Sequence, residues 1–228
     1  MRITFTLTVI DKFIEDDQKT ALDFGAGTGN LTKKLLQMEY TVTAIDISRE
    51  MCEILRESCR NYLRSGKLKI INSTIEDAVL DRAEFDLICC YSVLHHLPDY
   101  LDVLQELSGH LRKGGIMYLD HESSPFCCSG LAQKMKHFYL QSEGLFDQLY
   151  FKSIGLHAPS FDYALADWWT AKEHRIDHRK IEDVFKKEGF RFITRIDYHQ
   201  KTGWFLNPFF YVYKRICKPD TCLWLAKK

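Results

Sequence analysis

Leu22-Asp23-Phe24-Gly25-Ala26-Gly27-Thr28-Gly29-Asn30 decides the fold. The apolar run from Thr20 to Phe24 predicts a buried strand, and three glycines then alternate through a tight turn. Asn30-Leu31-Thr32-Lys33-Lys34-Leu35-Leu36 continues with helical spacing, Leu31 and Leu35 standing one turn apart. The glycines admit positive φ and carry no Cβ, so a ligand can come close to the backbone. The first amides of the following helix have no intrahelical acceptor and would face that ligand. Thr41 to Ile45 predicts a second strand, which ends on Asp46. An acidic residue at that tip is placed to accept hydrogen bonds from a ribose diol.

A strand, a glycine turn and an acidic strand tip suit either a nicotinamide dinucleotide or S-adenosylmethionine, and the spacing separates them. The dinucleotide fingerprint is G-x-G-x-x-G, whose third glycine, counted from Gly25, falls on Asn30. The chain has G-x-G-x-G instead, preceded by Asp23. It thereby resembles the class I S-adenosylmethionine-dependent methyltransferases, whose first motif is close to D-x-G-x-G-x-G. The resemblance runs on in order. Ala44-Ile45-Asp46-Ile47-Ser48 is similar to the ribose-binding end of the second strand, and Ser73-Thr74-Ile75-Glu76-Asp77 to the adenine-contacting loop. Phe85 to Leu97 is similar to the fourth strand and its loop. Leu111-Arg112-Lys113-Gly114-Gly115 is similar to an L-K-P-G-G turn, with Lys113 where proline is usual. The match spans roughly Ala21 to Asp120.

That resemblance implies a Rossmann-like, doubly wound α/β fold with a mostly parallel seven-stranded sheet, and S-adenosylmethionine as cofactor. It implies a cofactor-binding set of Asp23, Gly25, Ala26, Gly27 and Gly29, with Gly25, Ala26 and Gly27 along the methionine part. Asp46 would take the ribose hydroxyls, Ile47 would pack on the adenine, and Ile75 and Glu76 would meet the adenine edge. Tyr91 stands where a main-chain carbonyl often meets the cofactor's amino group, and Thr74 stands where many relatives have aspartate.

Lys+Arg and Asp+Glu number 31 each in the 228 residues, so formal net charge is zero, which gives no global electrostatic case for nucleic acid. The apolar fraction of 46% is ample for a core. Eight cysteines without a C-x-x-C pair read as small buried thiols, not as a disulfide framework. Met1 to Val9 is mildly apolar but is interrupted by Asp11 and Lys12, so neither a signal peptide nor a membrane-spanning run is expected. The default is a cytoplasmic protein with no stable membrane insertion and an open oligomeric state.

Along the chain, Leu7 to Asp16 predicts a short helix with Ile10, Phe13 and Ile14 inward. Ser48 N-caps a helix running to about Leu63, Leu68 to Ile71 is a third strand, and Phe85 to Tyr91 is a fourth, continuous in apolar residues as a strand covered on both faces should be. Pro98 opens a helix carrying Val103, Leu107 and Leu111; Gly114-Gly115 ends it, and Ile116 to Asp120 is the fifth strand. Residues 123–169 read as a helical, aromatic-rich insertion within a single domain spanning 1–228. Strands alternating with helices imply right-handed crossovers. Asp177 caps a helix with Ile181, Val184 and Phe185 inward, and Phe190 to Tyr198 and Thr221 to Ala226 are the last strands.

Methyl transfer from a sulfonium needs positioning and exclusion of water, and a base only if the acceptor must lose a proton. The candidates for that base are His96, after the fourth strand, and His121, after the fifth. No metal is expected, because His174-x-x-Asp177-His178 lacks a third convincing ligand. The insertion 123–169 is expected to be a lid over a small or medium acceptor with an apolar or aromatic body. The aromatic stretch Trp204 to Cys217 could pack the sheet edge or touch a membrane. Two alternatives stand beside this reading: an S-adenosylmethionine-binding partner or scaffold without transfer activity, and a macromolecule methyltransferase.

Overall fold

The computed structural model describes residues 2–14, 19–80, 85–124, 176–199, 219 and 221–228. Most of the expected insertion, and the aromatic stretch 204–217, lie outside the described residues. The chain forms two compact units. One contains Met1–His121, His178–Arg195 and Leu223–Lys228, and the other contains Glu122–Asp177 and Ile196–Cys222. In the described part of the second unit, Ser124 Oγ donates to the Pro219 carbonyl, and Cys222 Sγ lies 3.8 Å from the Ser123 carbonyl.

Seven strands form one sheet: β1 (Thr20–Phe24), β2 (Thr41–Asp46), β3 (Leu68–Asn72), β4 (Phe85–Tyr91), β5 (Leu111–Ser123), β6 (Phe192–Tyr198) and β7 (Thr221–Lys227). Their order is β3-β2-β1-β4-β5-β7-β6, and β3, β2, β1, β4 and β5 pair in parallel. This is the expected doubly wound sheet. β1 and β4 are its middle: Ala21, Leu22, Leu87, Ile88, Cys89 and Cys90 are all buried, because helices cover both faces of a parallel sheet. Strand order reverses between β1 and β4, which opens a crevice beyond their carboxyl ends.

The helices differ from expectation mainly at their ends. α1 is Arg2–Asp11, so Phe13 lies past the helix and is 57% exposed, while Leu7, Ile10 and Ile14 are buried. The reason is a fastening at Asp11, whose carboxylate accepts from Lys19 Nζ and Tyr40 Oη, both at 2.8 Å. Beyond it the backbone tightens into i→i−3 bonds, such as Phe13 N to Ile10 O at 2.9 Å. α2 is Thr32–Gln37. Ser48 is the N-cap of α3 (Arg49–Ser58), its Oγ accepting from Met51 N at 3.3 Å. The expected single helix to Leu63 is two: Cys59, at φ −120° and ψ 24°, interrupts it before α4 (Arg60–Arg64). Burial of Cys59 against the core holds the chain in that non-helical step. α5 is Tyr100–Gly109, and α6 is His178–Lys187. α6 buries Ile181, Phe185 and His178, with Val184 only half-buried.

β5 also departs from expectation, because it starts at Leu111, before the glycine pair. Gly114 N donates to the Lys228 carbonyl at 2.8 Å, and Lys228 N to the Gly115 carbonyl at 3.0 Å. The antiparallel end of β7 thus draws the glycines into the sheet. The extra residues appear as a register shift opposite Phe85 and Leu87, and Gly114 meets it at φ +84°.

At the opposite end of the strands from the crevice, an apolar cleft of about 320 Å³ lies between Val9, Ile10 and Phe13 and the sheet residues Ile116, Phe192 and Leu225. Lys227 is the one charged residue lining it, so it offers no chemistry. Near the same end, buried Asp86 on β4 accepts from Thr20 N at 2.6 Å and Thr20 Oγ1 at 2.8 Å, and faces Arg112 Nε at 2.5 Å. A buried carboxylate stripped of its cation costs far more than a surface pair gains. Arg112→Met is therefore expected to lower the unfolding free energy by about 3 kcal/mol, the low end for a broken buried pair because Arg112 keeps some exposure. Denaturant titration at constant slope checks it.

Candidate functional site

The glycine turn is fastened to the end of β2 before any ligand is considered. Gly25 N and Ala26 N both donate to the Ile45 carbonyl, at 2.9 and 3.0 Å, and Gly29 N donates to Ala26 O at 2.9 Å. Gly25, Gly27 and Gly29 sit at φ +69°, +52° and +85°, where side chains are strained. Their surroundings give them different tasks. A Cβ on Gly25 would lie 2.3 Å from Val93 Cγ2, and one on Gly29 would lie 2.2 Å from Leu55 Cδ1. Both glycines therefore admit a neighbouring side chain. Only Gly27 faces open space, with nothing within 4 Å of a Cβ placed there. The expectation that the glycines jointly clear room for a ligand narrows to this one.

Asp46 lies beside that opening. Its Oδ2 accepts from Gly27 N at 2.7 Å and its Oδ1 from Ser48 N at 2.9 Å. The carboxylate is half-buried, and each oxygen retains lone-pair capacity toward a ligand hydroxyl. Asn72, which sequence reasoning missed, clamps this tip: its Nδ2 donates to the Asp46 and Ile47 carbonyls, both at 2.9 Å. Its signal was positional, since Asn72 ends β3 in register with Asp46. Ile47 is 73% exposed at the same tip, an apolar surface suited to a flat aromatic ring. Ile75 is buried, so its side chain belongs to the core, while Glu76 is exposed. Thr74 Oγ1 turns back to accept from Asp77 N at 3.3 Å.

Asp23 sits beneath the turn, not at its surface. It is 1% exposed and accepts from Thr32 Oγ1 at 2.5 Å, tying β1 to the start of α2. Burial pushes its carboxyl up to about 7, offset in part by the bonds from Thr32, with the Asp46 charge adding a smaller push upward.

Tyr91 at the end of β4 and Asp120 on β5 are register partners, and the residues after them meet; β5 runs on to Ser123, so His121 stands within the strand and not after it. His121 Nδ1 lies 3.1 Å from Ser92 Oγ, and the His121 ring stacks on Tyr91 at 5.1 Å and 14°. Asp120, fully buried, accepts from Tyr118 Oη and from His121 N, the latter at 2.6 Å. The next residue, Val93, fills the space at Gly25, so this pair of strand ends is packed to the glycine turn. His96 closes a 3₁₀ turn (Leu94–His96), exposed, its ring 4.1 Å from that of His95. His178, by contrast, is buried and stacks on Trp224 at 6.0 Å. Among the described residues no group of three or more His, Cys, Asp or Glu could hold a metal ion. None of their helices is long and apolar enough to cross a membrane.

These residues suit a nucleoside with a charged tail. Open space at Gly27, a carboxylate able to take a diol, and an exposed aliphatic side chain for a base are brought to one strand edge. Ser92, Val93 and Thr32 complete the list of supporting residues the sequence did not single out.

Residues 22–119 match the family model for a methyltransferase domain. A ubiquinone biosynthesis O-methyltransferase from Vibrio parahaemolyticus is 34% identical over 102 residues, covering 44% of this chain and 42% of that protein. An uncharacterized methyltransferase from Anoxybacillus flavithermus is 35% identical over 116 residues, covering 50% of this chain and 52% of that protein. The chain thus spans about half the length of the curated relatives it matches. Among solved structures, an S-adenosylmethionine-dependent methyltransferase from Methanosarcina mazei superposes with TM-score 0.61 at 17% identity, covering 96% of each chain. Phosphoethanolamine N-methyltransferase 2 from Haemonchus contortus superposes with TM-score 0.62 at 13% identity, covering 98% of this chain and 52% of that one.

The three glycines should separate on substitution. Gly25→Ala and Gly29→Ala each drive a methyl group into a packed side chain at a left-handed position and should lower the melting temperature clearly. Gly27→Ala meets only the backbone cost, about 1–2 kcal/mol, and should act mainly on ligand affinity. Paired thermal melts and binding titrations check the contrast. Asp23 should give a pH signature. Below the unfolded value of 3.8 both states hold the proton. Between there and about 7 only the folded state holds it, so its stabilisation fades as pH rises through that window. Asp23→Asn removes this dependence, and its stability relative to the parent should rise from pH 4 to pH 8, by at most about 4 kcal/mol at about 1.4 kcal/mol per unit.

Proposed function

We propose that this chain, whose residues 22–119 match the family model for a methyltransferase domain, is a class I S-adenosylmethionine-dependent methyltransferase that binds S-adenosylmethionine and moves its methyl group to a small or medium-sized acceptor with an apolar or aromatic body. The observation that carries the binding proposal is the opening at Gly27 beside the Asp46 carboxylate, at the point where strand order reverses. The cofactor, when bound, supplies a methyl group on a cationic sulfur, which makes that carbon electrophilic. Gly25, Ala26 and Gly27 hold the turn along the methionine part, Asp46 takes the ribose hydroxyls, and Ile47 packs on the base. Glu76, on the exposed loop after β3, completes the adenine side, and the Tyr91 carbonyl serves the amino group. Asp23 and Gly29 act one step back, by tying the turn to α2 and α3.

The small-molecule acceptor is supported by the names of the curated relatives over the shared half of the chain. Residues 123–169 are proposed as the lid over that acceptor, within one functional domain. Transfer is proposed to need no metal. The buried thiols Cys52, Cys59 and Cys89 support work in a reducing, cytoplasmic setting.

Calorimetry with S-adenosylhomocysteine, the demethylated product, tests the binding proposal. The chain should bind it and not NAD. Asp46→Ala should weaken binding by about 1.5–3 kcal/mol, the usual worth of hydrogen bonds to a charged group. That is roughly 10- to 150-fold in Kd. Tight NAD binding with no response to S-adenosylhomocysteine would sink the proposal. Transfer of a radiolabelled methyl group to a catechol, unaffected by EDTA, separates an enzyme from a cofactor-binding scaffold.

A further inference from the structure

Three non-glycine residues among those described have positive φ: Glu39 at 65°, Ser92 at 60° and His121 at 66°. Glu39 is an ordinary helix ending, its amide donating back to Leu36 O at 3.1 Å after α2. Ser92 and His121 have no helix to end. Ser92 follows β4 and His121 lies near the carboxyl end of β5, each one residue past the register pair Tyr91 and Asp120. Left-handed backbone disfavours both side chains, and it persists only where the surroundings over-determine it.

Here the over-determination is visible. Ser92 N donates to the Asp120 carbonyl at 2.9 Å, and His121 N donates to Asp120 Oδ1 at 2.6 Å. Asp120 is itself held by Tyr118 Oη and is fully buried. The consequence is that the two side chains converge. Tyr91 fixes the face of the His121 ring, and Ser92 Oγ, 3.1 Å from Nδ1, fixes its edge. Chemistry of this imidazole toward an acceptor then runs through Nε2. A serine hydroxyl can accept from Nδ1–H or donate to Nδ1; in the first arrangement the lone pair is on Nε2, which is the form a general base needs.

We propose that His121 is the base that takes the acceptor's proton through Nε2, and that Ser92 is the positioning residue that holds it in the Nδ1–H tautomer. This rests on the methyl-transfer reading above. The step balances as follows: the acceptor's O–H proton passes to Nε2, an oxygen lone pair forms the bond to the methyl carbon, and the carbon–sulfur bond breaks with its electron pair going to sulfur. The sulfonium becomes a neutral thioether, and the imidazolium returns its proton to solvent. An imidazole base suits a hydroxyl of phenol-like acidity, near 10, better than an aliphatic alcohol.

Two measurements on the full-length chain test this. The first is two-bond proton–nitrogen NMR of ¹⁵N-histidine-labelled protein, assigned with His121→Gln. It should show His121 as Nδ1–H at neutral pH. In Ser92→Gly, which keeps the left-handed backbone without strain but loses the hydroxyl, the signal should shift toward Nε2–H while the melting temperature holds or rises. An Nε2–H tautomer in the parent protein, or no change in Ser92→Gly, overturns the positioning role. The second compares catechol with the more acidic 4-nitrocatechol, which ionises without help. His121→Gln should lose about 10²–10⁴-fold in rate with catechol and less than about 10-fold with 4-nitrocatechol. Equal losses with both probes, or no transfer to either from a chain that binds S-adenosylhomocysteine, overturn the base assignment alone. Failure to bind S-adenosylhomocysteine would instead remove the cofactor reading on which it rests.

Discussion

The Ile45 carbonyl is the point on which the site depends. By accepting from both Gly25 N and Ala26 N, it fastens the turn after β1 to the end of β2. That double bond is possible because β1 and β2 run parallel in register, Phe24 opposite Ile45. With the turn fixed there, Gly27 is carried over the Asp46 carboxylate and its amide is taken by Oδ2. The neighbouring glycines are then left so close to β4's loop and to α3 that only glycine fits. Val93 occupies the room at Gly25, and Leu55 the room at Gly29. The motif is thus mostly a packing device that holds a single open position.

Three buried carboxylates tie the parallel strands to their surroundings, each with a different partner set. Asp23 on β1 reaches Thr32 ahead on the chain, Asp86 on β4 meets Thr20 and Arg112, and Asp120 on β5 holds Tyr118 and the His121 amide. Burying such a group unsatisfied would cost several kcal/mol, roughly 2–7 even for a neutral polar group. Each one therefore makes sense only with its donors in place, and each fixes a junction: a turn to a helix, two strand starts to each other, and a strand end to a strained histidine. Asp23's proton affinity records that cost: burial raises it, and the bonds from Thr32 offset the rise only in part.

Backbone strain is distributed in the same way. Gly25, Gly27 and Gly29 take left-handed geometry at no side-chain cost, whereas Ser92 and His121 take it against their preference. All five stand on the carboxyl edge of the parallel strands, where the crevice opens. The rest of the described core, from Leu22 and Leu87 to Phe185 and Trp224, is ordinary apolar packing that keeps this edge rigid.

The alternation of apolar strand runs with helical spacing determined the sheet, because a strand covered on both faces can be built from little else; β4 was readable residue for residue as Phe85–Tyr91. The D-x-G-x-G-x-G run and the acid at Asp46 pointed to one strand edge for the candidate site, since glycine and a strand-tip carboxylate carry their reason in their chemistry. Tertiary structure alone decided which glycine faces the opening, because that depends on Val93 and Leu55, which are 68 and 26 positions away in the chain. It also decided that β7 draws Gly114 and Gly115 into the sheet, that Cys59 interrupts a helix, and that Ser92 meets His121. No local pattern encodes a contact between two residues 29 positions apart; it exists only once β4 and β5 lie side by side in register.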